Sequence, residues 1–247
     1  MEVVTLGLAG SATALATGLG AVPVFLLGDR AEGLRPFLWG AAGGLMGVAS
    51  IVGLLLPALD ENGSGSVAAG LAVGVVFLLA SRRALEGRDV HVGALRGAGV
   101  RRSLLVFGVL LVHSLPEGFA LGTAFASETE GLALYVILAI ALQNVPEGTS
   151  VAIPMEAAGF DRSQQFWAAV LTSAPQPVGA IAAYLAVEQI AWLLPFSFAF
   201  AAGAMLALVV VELLPEAFSP GGRWGAAGGL ALGAGLMLLL AALLGVD

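Results

Sequence analysis

The stretch SLLVFGVLLVHSLPEGFALGTAFA, residues 103–126, is apolar along nearly its whole length yet carries His113, Pro116 and Glu117 near its centre. About 20 apolar residues in a helix match the hydrocarbon thickness of a bilayer, so the stretch reads as a membrane span. A carboxylate at that depth is expensive and by default marks an ion or substrate pathway. The next apolar run, residues 131–156, repeats the arrangement: His113-Ser-Leu-Pro-Glu117-Gly118 is followed thirty positions later by Gln143-Asn-Val-Pro-Glu147-Gly148.

Outward from this pair the composition has the same character. Of 247 residues 59% are hydrophobic and 11% charged, against about 25% charged in a soluble domain. The mean hydropathy is +0.97. Apolar runs at roughly 3–28, 36–59, 66–85, 103–126, 131–156, 164–187, 191–217 and 224–245 predict an all-α membrane protein of eight transmembrane helices. They leave no stretch for a soluble domain, so residues 1–247 read as one transmembrane domain with a loop at about 86–102. The first run lacks a basic leader and a cleavage site, so it reads as a helix rather than a signal peptide. There is no Cys, which excludes disulfides, thiolate metal sites and thiol catalysis. A metal here needs imidazole, carboxylate, amide or thioether ligands.

All ten basic residues are Arg, and they fall at alternate connections. Arg30 and Arg35 follow the first span; Arg82, Arg83, Arg88, Arg96, Arg101 and Arg102 lie between or at the ends of the third and fourth. Arg162 follows the fifth span and Arg223 the seventh. By the positive-inside rule these connections are cytoplasmic and both termini face outside. The Arg cluster also suits contact with anionic lipid. The opposite connections carry Asp60, Glu61, Glu128 and Glu130, which either attract cations to a mouth or simply solvate short loops. In the 86–102 loop, His91 stands with only Asp89 and Glu86 near it, and the segment reads as a solvated loop.

On a helix, residues four apart share a face, so His113 stands one turn from Glu117 and Gln143 one turn from Glu147. Pro116 and Pro146 cannot donate to the carbonyls of Val112 and Leu142, and the glycines that follow allow close approach of a neighbour. Freed carbonyls at that depth are tolerated only beside protein or a polar cavity. An imidazole with two carboxylates suits Zn²⁺, Fe²⁺, Mn²⁺ or Cd²⁺, and a cation would neutralise carboxylates that otherwise need a proton. The lesser alternative for His113 and Glu117 alone is an interhelical hydrogen-bonded pair, and the matching block with Glu147 weighs further against it. A second internal match joins span two to span seven: Ala-Ala-Gly at 41–43 and 201–203, Leu-Leu-Pro at 55–57 and 213–215. Such pairs fit an inverted repeat with the site at its interface. Gly40-x-x-x-Gly44, Gly43-x-x-x-Gly47 and Gly229-x-x-x-Gly233 are close-packing patterns, for the bundle interior or for a homodimer face.

With these residues in view, the chain resembles the ZIP family of divalent metal transporters, and within it the GufA-like bacterial and archaeal branch. The paired Pro-Glu-Gly blocks carry the resemblance, with Gly18-Leu-Gly-Ala-Val-Pro-Val-Phe25, Leu54-Leu-Leu-Pro-Ala-Leu59 and Val211-Glu-Leu-Leu-Pro-Glu216. The resemblance implies a binuclear metal site half-way across the membrane, elevator-type movement, uptake into the cytoplasm and a prokaryotic plasma membrane. By position, His113, Glu117 and Glu147 match the primary metal ligands, and Gln143 stands where many members have His. Met46 matches a thioether near that site, although core packing explains it better. At the second site Ser114, Asn144 and Gln176 replace or neutralise ligands, Gln176 standing where a bridging Glu is usual. One carboxylate with neutral amides holds a dication weakly, so one competent site is expected. Glu212 matches a relay ligand on the exit route, while Glu216 reads as an interfacial carboxylate.

The expected partners are therefore a divalent metal ion and the lipid bilayer, with no nucleic acid and no resident cofactor. A metal-dependent hydrolase would want two His at i and i+4, as in H-E-x-x-H, and the two His present lie far apart. A proton- or sodium-coupled solute carrier is the other alternative, and metal binding that depends on His113 separates it from a metal carrier.

Overall fold

A computed structural model describes residues 2–61, 64–86, 98–190 and 192–246. Eight helical runs make up these residues: α1 Glu2–Leu27, α2 Arg30–Asp60, α3 Ser64–Glu86, α4 Ala98–Ala126, α5 Leu132–Ala157, α6 Arg162–Gln189, α7 Leu193–Ala217 and α8 Arg223–Leu244. Seven of them, all but α4, are long and apolar enough to cross a membrane among the described residues. The eighth, α4, has 29 residues and contains the first Pro-Glu-Gly block. The expected all-α multi-span protein is thus what the chain forms. Arg88, Asp89, His91 and Arg96 of the 86–102 loop lie outside the described residues; helix already begins at Ala98.

The helices pack in symmetric partnerships. α2 lies along α8 and α3 along α7; α4 lies along α6 and α1 along α5. Exchanging α1–α3 with α6–α8 and α4 with α5 turns each partnership into the other of its pair, as an inverted repeat requires. The second internal match in the sequence has a structural counterpart. Both α2 and α7 open into a single π-helical turn, at Ile51–Leu55 and Val209–Leu213, directly before Leu-Pro. Pro57 and Pro215 have no N–H for the carbonyls of Gly53 and Val211, and a wider turn absorbs that loss.

Small residues set the helix separations. Gly40 and Gly44 lie against Ala226, Leu230 and Ala234 of α8, while Gly229 and Gly233 lie against Phe37, Ala41 and Leu45 of α2. These close-packing patterns therefore work inside the bundle. Gly47 meets nothing within 4 Å among the described residues.

The Arg-bearing connections gather at one end of the bundle. Arg35 Nη2 pairs with Glu216 at 2.9 Å, joining the start of α2 to the end of α7. Arg162 donates to the Phe25 carbonyl at 3.3 Å and sits 5.8 Å over that ring, joining α6 to the end of α1. Arg82 donates to the Val211 carbonyl at 3.3 Å. At the other end Tyr184 hydrogen-bonds Glu2 and Glu188, and Asp60, Glu61, Glu128 and Glu130 are exposed.

Candidate metal centre

The two Pro-Glu-Gly blocks meet. Both α4 and α5 stay helical through their prolines, and the glycine after each Glu admits a crossing helix. A Cβ at Gly148 would overlap the Thr17 carbonyl of α1, and one at Gly118 would overlap the Gln176 carbonyl of α6. Each block is thus pressed against the partner helix of its own span, again in inverted fashion. His113, Ser114, Glu117, Gln143, Asn144, Glu147 and Gln176 are all buried.

Glu117 is the hub. Its Oε1 accepts from Gln143 Nε2 at 2.8 Å and its Oε2 from Gln176 Nε2 at 2.6 Å. The Glu147 carboxyl lies against that of Glu117. Two buried carboxyl groups in contact require a shared proton or a cation between them. Three lone-pair-bearing atoms here have no hydrogen-bond partner among the described residues: His113 Nδ1, Gln143 Oε1 and Glu147 Oε1. Buried polar atoms are almost always satisfied, so three such acceptors on α4 and α5 ask for an explanation. Imidazole nitrogen, amide oxygen and carboxylate oxygen are together a ligand set of the kind that zinc and its neighbours take.

The arrangement is not a ready-made triad of charged ligands. Among the described residues no three His, Asp or Glu side chains close on one point. The amides of Gln143 and Gln176 are interleaved with the carboxylates instead. An ion bound beside Glu117 would use Gln143 through its oxygen, which a half-turn of the amide supplies.

The residues expected to weaken a second metal position form a closed polar network. Gln176 Oε1 accepts from Thr13 Oγ1 at 2.9 Å and from Asn144 Nδ2 at 3.2 Å, and Gln176 Nε2 also reaches Asn144 Oδ1 at 3.3 Å. Asn144 Nδ2 donates to the Thr13 carbonyl at 2.7 Å. Ser114 points away from this network: its hydroxyl lies 2.8 Å from the Thr172 carbonyl and 3.0 Å from that of Leu110. The Thr172 carbonyl is free because α6 breaks at Ser173–Ala174, where Gln176 N–H donates to Ser173 instead. The break also brings Ser173 Oγ to 2.6 Å from Thr17 Oγ1.

Glu212 belongs to the surroundings of the same centre. It sits on the π-turn of α7, with Oε2 3.9 Å from His113 Nε2 and Oε1 3.8 Å from Arg82 Nε. Glu216 is exposed and paired with Arg35, in keeping with an interfacial role. Met46 is fully buried in the main apolar core of α2 and its neighbours. Two residues that sequence reasoning passed over emerge. Thr13 carries no signal beyond a hydroxyl in an apolar run, and Arg82 reads in the sequence only as one of the cluster that suits orientation and anionic lipid.

Comparison with known proteins now bears on this geometry. A family model described as ZIP Zinc transporter matches residues 79–241. The chain belongs to the ZIP zinc transporter family. It is 34% identical to the zinc transporter GufA of Myxococcus xanthus, over 91% of this chain and 93% of that protein. It is 35% identical to the zinc transporter ZIPB of Bordetella bronchiseptica, over 96% of this chain and 81% of that protein. A putative zinc transporter of Arabidopsis thaliana is 36% identical over 88% of this chain, which spans only 35% of that longer protein. As a ZIP member with several membrane-spanning helices, the chain is a multi-pass membrane transporter of divalent metal ions and not an enzyme.

Proposed function

We propose that this ZIP protein takes up divalent transition metal ions, zinc foremost, through one strong site built by α4 and α5. The observation that carries the reading is the trio of unpartnered buried atoms, His113 Nδ1, Gln143 Oε1 and Glu147 Oε1, on the two helices that carry the buried Glu117 and Glu147 carboxyl groups. His113, Glu117, Gln143 and Glu147 hold the ion. Asn144, Gln176 and Ser114, each already hydrogen-bonded, leave the second position weak. Met46 packs nearby core, and Glu212 receives the ion on the side of the Arg-bearing connections.

The helix partnerships support an elevator-type movement. α1, α4, α5 and α6 form one tightly packed group that includes every residue of the centre, and α2, α3, α7 and α8 form the other. Residues 1–247 act as one domain in the plasma membrane of a prokaryote, with the Arg-bearing end in the cytoplasm and both termini outside. The bilayer covers outward leucines such as Leu26, Leu232 and Leu243. A homodimer face would lie elsewhere than at Gly40, Gly44, Gly229 and Gly233, which the bundle uses itself.

The test is uptake into liposomes with a competition panel of Zn²⁺, Cd²⁺, Fe²⁺, Mn²⁺ and Co²⁺. Zinc is expected to enter and cadmium to compete best, since selectivity among N/O sites follows geometry on top of the general affinity order. Uptake unchanged in His113→Ala and in Glu147→Gln would overturn the assignment.

A further inference from the structure

We propose that Arg82 is a tethered counter-cation of Glu212 that competes with the transported ion for this carboxylate and so sets how readily the ion leaves His113. The inference rests on the metal-carrier reading of the centre and adds a residue to it.

Four observations converge. Pro215 leaves the Val211 carbonyl without its helical partner, and Arg82 Nη1 donates to that carbonyl at 3.3 Å. This contact anchors the guanidinium beside the π-turn, so its Nε faces Glu212 Oε1 at 3.8 Å. The other oxygen of Glu212 faces His113 Nε2 at 3.9 Å. Arg82, Glu212 and His113 are therefore in line, with one carboxylate between a fixed cation and a metal ligand. The line crosses the boundary between the two helix groups: Arg82 on α3 and Glu212 on α7 share one group, while His113 on α4 belongs to the other.

The consequence follows from charge. A dication that leaves the carboxyl pair toward the Arg-bearing end meets Glu212 next. There it finds a carboxylate already engaged by a positive charge that cannot diffuse away. The ion must share or displace that charge, which raises the free energy of the bound ion at this step. As it departs, Arg82 remains within ion-pair distance of Glu212 and again faces its carboxylate. A guanidinium suits this role because it keeps its charge at any working pH and its fork serves the carbonyl and the carboxylate together.

The test is Cd²⁺ titration of the purified full chain in detergent, with wild type, Arg82→Gln, Arg82→Lys and Glu212→Gln. Arg82→Gln removes the positive charge while leaving a polar side chain at the position. It is expected to bind Cd²⁺ about tenfold more tightly than wild type. Arg82→Lys keeps the charge and is expected to stay within about threefold of wild type. In a Glu212→Gln background the Arg82→Gln effect shrinks to less than about twofold, because the contested carboxylate is gone. Unchanged or weaker binding in Arg82→Gln overturns the proposal, as does equal tightening by Lys and Gln. Wild-type protein with no Cd²⁺ binding that depends on His113 overturns the underlying carrier reading itself, a result distinct from an unaltered Arg82→Gln.

Discussion

Gln176 donates to Glu117 and accepts from Thr13 and Asn144, so one neutral amide occupies the place where another carboxylate would add charge. Replacing it by Glu removes the donor to Glu117 and brings a further carboxyl into a buried cluster. Without metal, Gln176→Glu should lose about 3 kcal/mol of stability, the scale of an uncompensated buried charge. With Cd²⁺ or Zn²⁺ the stability should return, and the bound metal should rise from one toward two ions per chain. Thermal unfolding in chelator and in excess metal checks both; a variant indifferent to metal would contradict the positional reading. Thr13→Val is the milder companion, expected to cost about 1 kcal/mol for one lost hydrogen bond and to leave the metal count unchanged. His113, Glu117 and Glu147 were legible from the sequence because imidazole and carboxylate are conspicuous inside apolar runs. Thr13 was not, since a hydroxyl in a membrane helix usually satisfies itself on the preceding turn. Its bond to Gln176 exists only because α1 crosses the break in α6.

At the scale of helices, Gly148 and Gly47 make a controlled comparison. A methyl at Gly148 would overlap the Thr17 carbonyl, whereas one at Gly47 meets nothing within 4 Å among the described residues. Gly148→Ala should therefore lower stability by about 1–3 kcal/mol by forcing α1 from α5. Gly47→Ala should stay within about 0.5 kcal/mol of wild type. Thermal unfolding in detergent measures both, and equal effects would mean that the α1–α5 contact does not set the packing of the site. The element boundaries were readable because bilayer thickness imposes long apolar runs. The break in α6 and the paired π-turns in α2 and α7 were not, although Pro57, Pro175 and Pro215 lie beside them. Proline says that a helical bond is missing; only the neighbouring helices decide whether the chain breaks, widens or stays helical, as it does at Pro116 and Pro146.

For the molecule as a whole, the pairing of Arg35 with Glu216 and of Arg162 with Phe25 places the Arg-bearing connections together at one end. The chain lacks Cys, so a single introduced one reports sidedness without background. Glu61→Cys should react with a membrane-impermeant maleimide in intact cells and Arg223→Cys should not; the reverse pattern would invert the orientation. The fold class was legible from the apolar runs around the two Pro-Glu-Gly blocks, and the glycine pairs Gly40/Gly44 and Gly229/Gly233 are contacts between α2 and α8. These scales meet in the proposal of one strong ion position between α4 and α5. The most direct measurement is the number of Cd²⁺ ions bound per chain, counted by anomalous scattering from metal-soaked crystals alongside equilibrium titration. One strongly bound ion beside His113, Glu117 and Glu147, weakened about 100-fold in His113→Ala, is the result expected. Two equally occupied positions a few ångströms apart, or an ion indifferent to His113, would contradict it.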